Sequence, residues 1–211
     1  MSTPDPEAVA RLFTRSDGSY LCARWGRPLA PVVFGVDDAT LGIVKAGIEA
    51  VAALAGLEIT GTDPELGANL MIFFFRDWEE LLDVPDLDRL VPDLGPLVPR
   101  LAAEGATQYR IFRFDPQGAI RACFVFLCMD TGLEAVPADQ LALMQMVQSV
   151  LLWSDRAFLR ESPLALLPEG VAVLRPDIAE VIRAAYDPVL PAMAEDPTHA
   201  LRLAARMRPL P

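Results

Sequence analysis

Carboxylates are the most numerous side chains here that could do acid–base chemistry. Asp37, Asp38, Asp130, Glu134 and Asp155 all fall near the ends of predicted elements, where loops converge. Asp130, Glu134 and Asp155, if gathered by the fold, could support a hydrolase acting through carboxylates or an oxygen-liganded metal. Asp37 and Asp38 are better explained as a helix cap. Nucleophilic chemistry has less to build on. The sole histidine, His199, lies in a segment expected to be flexible, so no serine or cysteine has a visible base. Cys22, Cys123 and Cys128 are odd in number and form no CxxC, which argues against a disulfide framework or a zinc ribbon. Cys123 and Cys128 sit in the apolar run 122–129, on opposite faces of a predicted strand, and read as buried, inert thiols. Neither GxGxxG nor GxxxxGK[ST] occurs, so a glycine-rich nucleotide loop has no support.

The elements that must position these groups are legible from periodicity. Leu29 to Phe34 reads as a strand. A long helix covers 39–55, capped by Asp37-Asp38 and stopped by Gly56, with Leu41, Val44, Ile48, Val51, Ala52 and Ala55 at helical spacing. Leu57 to Thr60 is a candidate short strand. Asn69 to Phe75 is apolar on both faces and so internal to a sheet. Tyr109–Phe114 and Ala119–Met129 form a hairpin across Asp115-Pro116-Gln117-Gly118. A helix is predicted from Pro137 to about Trp153, and a last one over 177–186. The order predicts an α+β fold: a mixed β-sheet packed against two main helices, with a C-terminal helix.

The 211 residues fit one domain, and 53% hydrophobic content suffices for a buried core. Residues 1–20 read as a loose lead-in, 21–193 as the domain, and 194–211 as a tail ordered only in part. Within the domain, 77–101 is an acidic, proline- and leucine-rich excursion over the surface. Its leucines either cover the sheet or form a stripe for a protein partner. A net charge of -11 with a single lysine, Lys45, disfavours nucleic acid and anionic membrane as partners. The N-terminus has neither the basic start nor the apolar stretch of a signal peptide, so the cytoplasm is the expected location.

The run from Met144 to Asp155 then takes on meaning beside its flanks. Ser162-Pro163-Leu164 follows it, and 174–188 reads Leu-Arg-Pro-Asp-Ile-Ala-Glu-Val-Ile-Arg-Ala-Ala-Tyr-Asp-Pro. That closing helix resembles the one in matrixin-type metzincins, and the element order is similar too. Arg24-Trp25, Ala68-Asn69, Gln148 and Asp155 also resemble a group of uncharacterised bacterial proteins regarded as degenerate metzincin relatives. The resemblance spans about residues 24–193 and implies a zincin-like fold. Laid on HExxHxxGxxH/D, Met144 stands at the first zinc ligand, Gln145 at the catalytic glutamate and Gln148 at the second ligand. Leu151 stands at the glycine and Ser154 at the third ligand, with Asp155 after it. No zinc ligand is retained, so the resemblance implies a non-catalytic module without metal or cofactor. Its former cleft, with Gln145, Gln148, Ser154, Asp155 and Asp130, would bind a ligand or, more simply, another protein. A hydrolase using Asp130, Glu134 and Asp155, and a structural subunit of a larger assembly, are the alternatives.

Overall fold

The computed structural model describes residues 5–129 and 132–207. Asp5 accepts from the Glu7 amide and opens α1 (Pro6–Arg11), which is followed by the short strand β1 (Cys22–Ala23). After β2 (Pro31–Phe34), the Asp37 carboxylate accepts from the Thr40 amide at 2.8 Å and starts α2 (Asp38–Ala55). Gly56, at φ 66°, supplies the left-handed residue that ends it, as the sequence predicts. The chain then runs through β3 (Leu70–Phe75), a 3-10 turn (Trp78–Asp83), α3 (Leu87–Leu90), α4 (Leu94–Ala103), β4 (Gln108–Phe114) and β5 (Ile120–Cys128). It finishes with α5 (Ala138–Val150), β6 (Leu164–Leu166), β7 (Ala172–Leu174), α6 (Pro176–Ala185), β8 (Met193–Ala194) and α7 (Thr198–Ala204).

The sheet has the order β2-β3-β5-β4; the first three strands are parallel, and β4 lies antiparallel to β5 at the edge. The fold is therefore α+β with a mixed sheet, as expected. The segment 57–60 contributes only a parallel bridge, Leu29 to Ile59, beside β2.

Alternation along the inner strands creates two cores. Leu70, Ile72, Cys123, Val125 and Leu127 face α2 and α5. Phe73, Phe75, Phe124, Phe126 and Cys128 face the other way, which puts Cys123 and Cys128 on opposite faces as anticipated. The second face is where the excursion goes. Leu87, Val91, Leu94, Val98 and Leu101 recur every three or four residues and are all buried, together with Trp78, against those phenylalanines. The expected surface excursion is thus a lid over a sheet face that would otherwise expose four aromatic rings. Leu82 and Leu90 stay exposed.

Both flanks of the chain are built in more firmly than the sequence suggested. Phe13 is fully buried and stacks on Trp153 at 5.2 Å. β1 pairs with β8, and α1 packs against α7. The expected loose lead-in and partly ordered tail are corrected to that extent; residues 1–4 and 208–211 lie outside the described residues. Proline density suggested disorder, but the apolar positions Ala200, Leu203 and Ala204 share one buried face of α7. No helix among the described residues is long and apolar enough to cross a membrane.

A buried polar node ties the first two parallel strands together. Asn69 accepts from the Ala30 amide at 2.8 Å and donates to the Pro28 carbonyl and to Asp63. Asp63 also accepts from the Glu65 and Leu66 amides and from Arg27. Burial alone would raise its pKa; the two amides, Asn69 and Arg27 outweigh that and hold it at about 2. Because the folded value lies below the unfolded one, the stabilisation is full above about pH 4 and is lost as pH falls towards 2. Asp63→Asn replaces one acceptor by a donor facing donors, at a cost of roughly 2–3 kcal/mol at pH 7. Urea unfolding at pH 7 and pH 2.5 checks this: the gap between wild type and variant narrows at the lower pH. An equal gap at both would sink the assignment.

Candidate functional site

Strand alternation puts Gln108, Arg110 and Phe112 of β4 on the side of α5, with Tyr109 and Ile111 turned to the second core. Arg110 meets three polar residues one helical turn apart on α5. Its Nε donates to Ser149 Oγ at 3.1 Å, Nη1 to Gln148 Oε1 at 3.0 Å, and Nη2 to Gln145 Oε1. Gln145 is buried, and its amide nitrogen donates to Gln108 Oε1 at 3.1 Å. The Ser149 hydroxyl in turn donates to the Gln145 carbonyl at 2.7 Å.

No carboxylate pairs with Arg110 among the described residues. Desolvation lowers its pKa, yet a guanidinium stays protonated in proteins. The result is a partly buried positive charge held by amide and hydroxyl oxygens alone. The same surroundings push the Cys123 thiol up to about 12 through burial, against the opposing influence of Arg110 and Ser149. That thiol is not a nucleophile at neutral pH.

α5 stops at Val150, earlier than the predicted Trp153, because its last carbonyls are taken by side chains from elsewhere. Trp25 Nε1 donates to the Ser149 carbonyl at 2.9 Å, Tyr186 Oη to the Val150 carbonyl at 2.7 Å, and Trp153 Nε1 to the Val147 carbonyl at 2.8 Å. The freed residues 151–153 then run extended beside β1: Leu151 bridges Arg24, and the Leu152 amide donates to Ala23. Trp25 and Tyr186, both in segments that carried the sequence resemblance, thus work as helix terminators.

This geometry opens a groove of about 560 Å³ along β4, with Gln148 and residues 152–155 on its opposite wall and Phe158 and Leu159 at its rim. Ser154 is buried; its amide donates to the Leu12 carbonyl and its hydroxyl accepts from the Arg156 amide. Asp155 is exposed and accepts from the Ser16 amide at 2.9 Å; the Ser16 side chain first and then its amide lower the carboxyl's pKa. Gln145 and Gln148 therefore meet at Arg110, while Ser154 and Asp155 anchor the lead-in at the groove's other end. Asp130 lies outside the described residues. Glu134 lines a separate groove with Asp37, so it does not share a cavity with Asp155. Among the described residues, no three His, Cys, Asp or Glu side chains converge on a position that could hold a metal ion.

His199, expected in a flexible tail, is buried in α7 with Nδ1 3.0 Å from Tyr20 Oη. Burial, then Arg202, lowers its pKa. Arg110 was missed by the sequence reading: a period of two groups it with Gln108 and Phe112, but apolar residues fall on both faces of 108–114, so the pattern does not say which face meets α5. Compared with known proteins, the chain matches no family model, no curated protein and no solved structure.

Proposed function

We propose that the protein is a non-catalytic peptide-binding module on a metalloprotease-like frame, using the groove along β4. The observation that carries this reading is Arg110. A zinc site on the metzincin pattern needs electron-pair donors turned to a cation. Here the side-chain oxygens of Gln148, at the second ligand position, and Gln145, at the catalytic glutamate position, are taken by a guanidinium, and Met144 and Ser154 supply no imidazole. The residues do not fit zinc, and a fixed positive charge opposes any cation in the same place. What is left suits recognition. β4 is an edge strand with no partner on its outer side among the described residues, and an extended peptide can add to such an edge through main-chain hydrogen bonds. The groove beside it offers apolar walls at Phe112, Leu152 and Phe158 and polar groups at Gln148 and Arg110.

The test is to pan a random peptide library on the purified protein and follow the winners by hydrogen exchange and mass spectrometry. Bound peptides should slow amide exchange within 108–114 and be recovered intact after prolonged incubation. Protection confined to other segments would sink the groove assignment. Peptide fragments that accumulate with wild type would sink the non-catalytic reading.

A further inference from the structure

A second, larger groove of about 1020 Å³ continues from the first, sharing Arg15, Phe158 and Leu159 with it. It runs between α1, the 156–161 loop and the start of α6. Its charge is opposite to that of the chain. Five arginines line it against three carboxylates, Asp5, Glu161 and Asp177, in a protein of net charge -11. Those carboxylates are spoken for. Arg175 binds Glu161 at 2.7 Å and Asp177 at 2.6 Å, and Arg11 faces Asp5 at 4.0 Å. Arg15, Arg156 and Arg160 form no ion pair among the described residues. Asp17 lies near Arg15 and Asp155 near Arg156, but neither closes to an ion pair. With most exposed charge on this molecule negative, three guanidinium groups without a close carboxylate partner set up a local positive field on this wall.

We infer that this second groove receives an acidic peptide segment of the partner, with Arg15, Arg156 and Arg160 as the groups that take its carboxylates. The inference rests on the peptide-binding reading of the β4 groove and extends it to the partner's chemistry. Arg15 lines both grooves, so a chain leaving β4 enters the arginine wall without a gap. Guanidinium and carboxylate match as bidentate partners, and because Arg156 and Arg160 are exposed the attraction is open to screening by salt. The acidic surface elsewhere disfavours loose attachment of such a segment, which confines it to this wall.

The experiment uses fluorescein-labelled decaglutamate and the full chain, read by fluorescence anisotropy at 50 and 300 mM salt. Wild type is expected to bind it, more weakly at the higher salt, and not to bind decalysine through this wall. Charge reversal at Arg15→Glu, Arg156→Glu and Arg160→Glu together should weaken decaglutamate at least tenfold. The single variants Arg156→Glu and Arg160→Glu, at exposed positions outside any ion pair, serve if the triple variant does not fold, and each should give a severalfold loss. Absence of binding by wild type, or binding unchanged by reversal, overturns the inference. So does displacement by inorganic tripolyphosphate at equal charge, which makes the ligand a phosphate. Exchange protection separates the two readings. Arginine-dependent binding without protection of 108–114 keeps this site and removes strand addition at β4. Library peptides that protect β4 and ignore the reversals do the opposite.

Discussion

Arg110→Met is expected to destabilise the protein by about 3 kcal/mol, whereas the same change made together with Gln145→Leu and Gln148→Leu is expected to leave it at least as stable as wild type. The single change strips donors from Gln145 Oε1, Gln148 Oε1 and Ser149 Oγ. Gln145 is buried and cannot turn to water, and each unsatisfied group costs roughly 1–3 kcal/mol. Gln148 is only half-buried and recovers part of its loss from solvent. The triple change removes the demand along with the supply. It also removes the desolvation of a guanidinium that has no counter-ion here, and buried charged clusters replaced by apolar groups of similar size gain up to about 1–4 kcal/mol. Gln108, left behind by Gln145, is exposed and returns to water. Urea unfolding of all four combinations decides the matter. A triple variant as unstable as the sum of its parts would mean that the network exists for stability, and it would remove the reason to assign Arg110 to binding. A stable triple variant that no longer binds library peptides is the outcome that the peptide-binding reading requires.

Gly35→Ala is expected to be the most damaging single methyl in the chain. Gly35 follows β2 at φ 82°, and a Cβ there would lie 1.9 Å from the Phe74 carbonyl oxygen of β3. The left-handed conformation alone costs about 1–2 kcal/mol for a residue with a Cβ. The contact is with backbone of a paired strand, so no rotamer change relieves it, and the end of the β2–β3 ladder must part. A total above about 4 kcal/mol follows, which for a chain of this size lowers Tm by roughly 10 °C or more. Gly18 is the control. It has φ 85° but no atom within 4 Å of an added Cβ, so Gly18→Ala should show the conformational cost alone. Thermal melts of the two variants check this, and equal melting temperatures would refute the role given to the Phe74 contact.

What could be read in advance follows the range of the interactions concerned. α2 was legible because its cap, its apolar spacing and its terminating glycine all lie within twenty residues. The β4–β5 hairpin was legible for the same reason: Asp115 accepts from the Gln117 and Ala119 amides within the turn itself. The end of α5 was not, because Trp25 and Tyr186, which satisfy its last carbonyls, come from opposite parts of the sequence. Arg110 and its glutamines are separated by more than thirty residues, and no local pattern couples them. Gln145 and Gln148 were singled out through the family pattern, yet their use to hold a cation in place of a metal became visible only with the strand beside them. The excursion was legible in part. Its leucines were expected either to cover the sheet or to form a stripe for a partner, and the three-four spacing from Leu87 to Leu101 lays them on the sheet.

The pairing of the two flanks sets a schedule for the nascent chain. The wall of the β4 groove depends on contacts from the lead-in, Leu12 to Ser154 and Ser16 to Asp155. The lead-in is itself held by α7, with Tyr20 against His199. Residues made early on the ribosome thus wait for residues made 179 positions later, while the sheet and its second core can form in between. The groove is finished last, so on the peptide-binding proposal a partner would meet a competent surface only on chains whose synthesis has passed α7.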